Sequence, residues 1–272
     1  MQNRVNITDK PRIISILSGK GGVGKSVIAY NLAAAAAHVG QRCLIIDCDW
    51  YFGNIHILAN VIPDLNLSDV IYEENLLSKA ILPIENRLHF IPSPASPTSD
   101  IKFSRPDIER FFKKSKILFT DYDLILIDTP SSLLELISSC AGVSDLNLIT
   151  VNPELTSIAD GYGLFKYLVI SGYTNPIYLL VNRAKDGTEY EYVYRKFSAL
   201  SERFLENWPL DGGYVIDDEH VIESVREQKS LFEIATDSAL TEQFLKLCKL
   251  LTENDLEGDI PSQIKAERSI NS

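Results

Sequence analysis

The chain lacks any apolar run approaching the length of a membrane span, any signal-peptide pattern ahead of its first apolar stretch, and any C-x-x-C pair. Each absence removes a class. No membrane-spanning helix is expected, and neither is a disulfide scaffold. The four cysteines, Cys43, Cys48, Cys140 and Cys248, are scattered, so they read as small core residues in a reducing cytoplasm. A basic excess is also missing: 26 Lys and Arg face 37 Asp and Glu, a net charge of −11. That balance disfavours a broad DNA- or phospholipid-binding face. The densest basic stretch, Arg110 to Lys116, contains Phe111 and Phe112 and reads as the solvated side of a helix. No repeat and no linker splits the body.

What is present is an ordinary core-forming composition, 45% apolar, in which strand-like and helix-like stretches alternate from end to end. That alternation predicts an α/β fold: a single doubly wound, mostly parallel sheet flanked by helices. One domain is expected over residues 1–254, followed by a polar, disordered tail over 255–272 with few large apolar side chains. Helices are expected at Asn66–Tyr72, Leu76–Ile81 and Pro106–Leu118, and a last one at Ser238–Thr252. Within that last helix, Phe244 to Leu251 is either packed on the sheet or an amphipathic membrane contact; its lysines are offset by the acids downstream.

The most informative residues are Ser18-Gly19-Lys20-Gly21-Gly22-Val23-Gly24-Lys25-Ser26. From Gly19 to Ser26 they match G-x-x-x-x-G-K-[ST], between the apolar run Arg12–Leu17 and a helix rich in alanine. In that pattern a glycine turn aims backbone N–H groups at phosphates, Lys25 reaches the β/γ-phosphates, and the Ser26 hydroxyl ligates Mg²⁺. Lys20 is surplus to that work. It can reach a phosphate from the side, or one bound by another subunit.

Polar residues just past strand ends are the other candidates, because ligands bind at that edge of such sheets. The second strand ends in Asp47-Cys48-Asp49, a later apolar strand in Asp128-Thr129-Pro130, and another in Asn182-Arg183. Asp128 would hold Mg²⁺ with Ser26, directly or through a water. Asp47 and Asp49 point the same way from an extended chain; one would bind a metal water and the other orient the attacking water.

Together, the loop from Lys20 to Ser26, Asp47-x-Asp49, Gly53-Asn54, Asp128-Thr129-Pro130 and Asn182-Arg183 resemble the deviant Walker A ATPases of the MinD/ParA family, of the SIMIBI type. The similarity runs over about residues 12–252. The segment Asp49 to Leu58 followed by Leu67 to Ile71 is similar to the MinD and FlhG/FleN group, which places septa or flagella; Trp50, Tyr51 and Phe52 depart from it, as a partner surface or as local packing. The resemblance implies a slow, partner-stimulated ATPase that uses ATP and Mg²⁺ and forms a nucleotide-sandwich homodimer. Lys20 would cross to the partner's phosphates, Asp49 would support the attacking water, and Asn182 would hydrogen-bond adenine, with Arg183 also in the nucleotide site. It further implies an unidentified activating protein and a cytoplasmic protein that can sit peripherally at the inner membrane face. A ParA-like partition ATPase acting with DNA, or a module that binds ATP without hydrolysing it, are the alternatives.

Overall fold

In the computed structural model the described residues are 10–50, 53–94 and 104–253. The first β-α-β unit is β1 (Arg12–Leu17), α1 (Lys25–His38) and β2 (Cys43–Asp47). Three single-turn helices follow, α2 (Ile55–Leu58), α3 (Leu67–Val70) and α4 (Leu77–Ala80), and then the hairpin β3 (Leu82–Glu85) and β4 (Leu88–Ile91). Next come α5 (Arg105–Lys114), α6 (Lys116–Phe119), β5 (Leu124–Asp128), α7 (Leu134–Val143) and β6 (Leu146–Val151). The chain continues through α8 (Leu155–Ile170), β7 (Ile177–Ala184), α9 (Gly187–Leu205) and β8 (Leu210–Ile216). Three helices complete it: α10 (Glu219–Glu227), α11 (Leu231–Ile234) and α12 (Ala239–Thr252).

The strands form one sheet in the order β3-β4-β2-β5-β1-β6-β7-β8, parallel throughout except for β3. The expected doubly wound sheet is therefore what the chain forms. The central strands β1, β2, β5 and β6 are runs of Ile, Leu and Val buried on both faces, as parallel strands sandwiched by helices must be. β1 lies between β5 and β6, so the chain leaves it for α1 and returns on opposite sides of the sheet. This reversal opens the crevice in which such sheets bind ligands.

Sequence and structure part at the edges. β3 was not anticipated. Its Pro83 lacks an N–H for a ladder, which is tolerable only on an edge strand, and β3 pairs with β4 alone. The helix expected over Pro106–Leu118 is two, α5 and α6, meeting at the buried Ser115. Its lysines are exposed while Phe111, Phe112 and Phe119 pack edge-on in the core, so the basic stretch is a solvated face. All four cysteines are buried free thiols. The apolar face of α12, with Leu240, Phe244, Leu247 and Leu251, is spent against α1 and the sheet; the segment weighed for a membrane is a core helix. Among the described residues no helix is long and apolar enough to cross a membrane. The tail expected over 255–272 lies outside the described residues.

One acid at the sheet edge makes a test of the packing. Glu85, at the end of β3, accepts a 3.5 Å hydrogen bond from the Tyr30 hydroxyl of α1. Burial, and then the neighbouring Glu233, raise its pKa above the ordinary glutamate value against the pull of Ser230. A carboxyl group whose folded pKa is raised costs stability once pH exceeds its unfolded value. Glu85→Gln should therefore raise the melting temperature at pH 8 by about 1–2 °C, a small gain because the group is partly solvated. Melts from pH 8 down to 4 should show the gain vanish as the wild-type carboxylate protonates.

Candidate nucleotide-binding site

The site is built at the C-terminal edge of β1, where the chain turns through Ser18 to Gly24 and enters α1 at Lys25. Gly24 has φ 96°, a left-handed conformation, and a Cβ there would sit 2.5 Å from the Asn182 amide nitrogen. Both facts demand glycine. No side chain caps α1 and no acid occupies its first turn, so its first backbone N–H groups are left for an anion. Beside them is a cavity of about 520 Å³ lined by Gly21, Gly22, Gly24, Lys25, Ser26 and Asp49. Gly19 and Val23 do not line it. Gly19 abuts the Asp160 carbonyl of α8, and Val23 is buried with its carbonyl turned to Asn182.

Lys25 is buried and donates to the Ser18 hydroxyl at 3.0 Å, which in turn donates to the Lys20 carbonyl at 2.8 Å. Burial lowers its pKa, and the carboxylates of Asp128 and then Asp49 oppose that shift. Asp128 ends β5 opposite Asp47 of β2. It is fully buried, and burial pushes its pKa up to about 6 although Lys25 pulls it down. The Ser26 hydroxyl is close enough to lower it further, yet neither carboxylate oxygen makes a well-formed hydrogen bond. A fully buried carboxylate left without partners beside a serine hydroxyl and a phosphate loop fits a divalent cation that shares its shell with phosphates and waters. Among the described residues no three His, Cys, Asp or Glu gather as a metal cage.

Asp47 is placed differently from Asp49. Its Oδ1 accepts from the Asp49 N–H at 3.0 Å and its Oδ2 from the Ile55 N–H at 3.3 Å. It thus staples the two ends of the loop between β2 and α2. Burial, and then Asp128, push its pKa well up. Asp49 is half-buried and faces the cavity. The spacing that would have pointed both acids at one ligand gives one loop anchor and one cavity acid. Trp50 is buried among Leu67 and Val70, so it packs locally; Tyr51 and Phe52 lie outside the described residues.

Lys20 stands apart. Its ammonium donates to Glu154, the residue that caps α8, at 3.0 Å and to Thr156 in the first turn of α8 at 2.9 Å, and the side chain is not part of the cavity wall. Asn182 donates one amide hydrogen to the Val23 carbonyl at 2.7 Å. Asn182 is buried and is not part of the cavity wall. Arg183 takes φ 58°, which turns it outward where the register with β8 shifts. The structure also brings in residues that motif reading did not mark: Ser131 just past Asp128, and an apolar side formed by Ile57, Leu58 and Val225. Ser131 had a signal in the sequence, since it follows the strand-end acid by three positions. The apolar three lie in family-like segments, but nothing in the sequence placed them beside the phosphate loop, because α2 and α10 meet only in the fold, where the Gln228 amide donates to the Ile57 carbonyl at 2.7 Å.

The family model described as AAA domain matches residues 11–169. Antiactivator FleN of Pseudomonas aeruginosa is 27% identical over 222 residues, 82% of this chain and 79% of that protein. Among solved structures, the septum site-determining protein MinD of Pyrococcus horikoshii, complexed with Mg-ADP, superposes with a TM-score of 0.75. That match is 24% identical and covers 91% of this chain and 98% of that one. The MinC:MinD cell division complex of Aquifex aeolicus gives 0.70 at 23% identity, over 88% and 95%. The chain therefore belongs to the MinD/ParA family of P-loop ATPases, in the part of the family that holds MinD and FlhG/FleN.

Proposed function

We propose that the chain is an ATP-hydrolysing switch that closes into a homodimer around two nucleotides and, so closed, regulates the placement or number of a cellular structure such as a septum or flagella. The observation that carries this reading is the contrast between the two lysines of one loop. Lys25 is buried in the cavity, whereas Lys20 lies outside it with its side chain 38% exposed, at the surface where a second subunit would meet it. The Lys20–Glu154 pair is exposed and worth at most about 1 kcal/mol, so exchanging Glu154 for a phosphate is cheap.

The loop N–H groups and Lys25 would hold the β- and γ-phosphates. Ser26 and Asp128 would hold Mg²⁺, which supplies positive charge to the phosphate oxygens. Asp49 would orient the attacking water; water adds to the γ-phosphorus, the bond to the bridging oxygen breaks, and ADP and phosphate result. Asn182 would take adenine. The relatives' printed names, an antiactivator and a septum-site protein solved with MinC, favour a protein partner that activates or reads the dimer. The acidic charge weighs against DNA and the buried face of α12 against lipid.

Light scattering after size exclusion tests this. The Asp49→Ala protein, slow to hydrolyse, should be a dimer with MgATP and a monomer with MgADP. Lys20→Ala should bind MgATP within about threefold of wild type and stay monomeric. A Lys20→Ala protein that dimerises and hydrolyses like wild type would end the sandwich reading.

A further inference from the structure

The turn between α10 and α11 is fixed to the helix that follows the phosphate loop. The Lys229 N–H donates to the Ser224 carbonyl at 3.0 Å, closing the end of α10. The Leu231 N–H donates at 2.8 Å to Oδ1 of Asn31, a buried residue of α1 whose own amide donates to the Val27 carbonyl at 3.0 Å. None of these ties uses the Gln228 side chain. Gln228 nevertheless takes φ 55°, in the left-handed region where glycine is the unstrained choice. A side chain kept on a strained backbone points to work done by that side chain. Its amide reaches across to α2 and donates to the Ile57 carbonyl at 2.7 Å.

The loop that carries Asp49 ends in α2. Asp47 joins the two ends of that loop through the N–H groups of Asp49 and Ile55, so the position of α2 is passed on to Asp49. Ile57 and Leu58 of α2, Val225 of α10 and Asp49 line the same cavity, whereas Gln228 does not. We propose that Gln228 is a positioning residue for ATP hydrolysis: by holding the Ile57 carbonyl to a turn anchored on α1, it keeps the Asp49 loop closed on the cavity. The proposal rests on the hydrolytic reading above and adds the tie that sets Asp49 in place. The phosphate loop runs directly into α1, so the hold on the phosphates does not depend on this tie. The tie governs what fraction of the ATP-bound protein has Asp49 in position. One neutral hydrogen bond is worth a factor of about two to ten in such a fraction.

Steady-state hydrolysis of MgATP is measured on the full chain as wild type, Gln228→Gly, Gln228→Glu and Gln228→Lys, with a thermal melt of each. Gln228→Gly removes the donor and relieves the left-handed backbone, so it should melt no lower than wild type. Its kcat should fall about two- to tenfold while KM stays within about twofold. Gln228→Glu keeps the length but sets an acceptor against the carbonyl, so kcat should fall at least as far. Gln228→Lys restores a donor of sufficient reach and should hydrolyse within about twofold of wild type. In an Asp49→Ala background, Gln228→Gly should bring no further loss, because the group it positions is gone. A lower melting temperature with kcat unchanged marks a merely structural tie and overturns the proposal. So does a Gln228→Lys protein as slow as Gln228→Gly, or losses that multiply in the double variant. A wild-type chain without Mg²⁺-dependent hydrolysis overturns the hydrolytic reading itself, and the proposal with it.

Discussion

Lys25→Ala should abolish nucleotide binding, with the MgATP dissociation constant raised by at least about a hundredfold, the scale set by removing one partner from a buried charge pair. The side chain is buried, and among the described residues its ammonium has only the Ser18 hydroxyl within hydrogen-bonding distance, so most of its bonding capacity is held for a ligand. Its removal also withdraws the cation nearest to Asp128, whose carboxylate then faces Asp47 and Asp49 uncompensated. The variant thus loses phosphate affinity twice, through the missing cation and through the acids it no longer screens. Thermal denaturation gives a direct readout. At a hundred times its dissociation constant, a ligand adds about 2.7 kcal/mol to stability, and a chain of this size then melts roughly 5–10 °C higher. Wild type should show that rise with MgATP, and Lys25→Ala none. A variant still stabilised by MgATP would place the phosphates away from this loop.

The central sheet was legible because its strands are short apolar runs bounded by glycine, proline and acids, and because two-sided burial leaves little else for such runs to do. The first β-α-β unit was legible for a second reason: the phosphate loop fixes what precedes and follows it. The failures are local and share a cause. β3 carries a proline and fully buries none of its four side chains, so Leu82–Glu85 has no period to read. α2 and α11 are single turns whose four residues cannot show helical spacing, and they exist because Asp47 staples one and a Ser230–Glu233 capping box starts the other. The break at Ser115 depends on how Phe112 and Phe119 meet across the bend, a contact invisible along the chain.

The chemistry was legible where a residue type and its place at a strand end coincide. Lys25, Ser26, Asp49 and Asp128 stand around one cavity or its edge. Asp47 shows the limit of that logic. Alternation along an extended chain would aim it with Asp49, yet β2 ends at Asp47, and the two acids take different work. Asn182 shows a second limit, since its amide was read for adenine and half of its donor capacity is spent holding the phosphate loop. Sequence spacing locates a side chain at an edge; which neighbour claims its hydrogen bonds is decided by the loops that arrive from elsewhere.

Asp128→Asn should separate stability from activity, with effects of opposite sign. The carboxylate is fully buried with no well-formed hydrogen bond, and its pKa stands at about 6 against an ordinary 3.8. Because the folded pKa is raised, ionisation in the native state costs stability: nothing below pH 4, a growing amount between pH 4 and 6, and a constant amount above. Two pKa units correspond to about 3 kcal/mol. Lys25 loses a nearby anion in the variant, which reduces the expected net gain to about 1–2 kcal/mol. Without nucleotide or metal, Asp128→Asn should therefore melt about 3–6 °C higher than wild type at pH 8, and at the same temperature near pH 4. Hydrolysis should fall by at least about a hundredfold, since a neutral amide neither holds the Mg²⁺ shell nor balances it. A residue kept only as a cap for the loop after β5 would behave otherwise: an amide caps as well as an acid, so the substitution would leave hydrolysis near the wild-type rate. The opposite signs arise only if the buried charge is tolerated for the sake of a cation, so a Tm series over pH on the ligand-free variant, paired with one Mg²⁺-dependent rate, decides between the two roles.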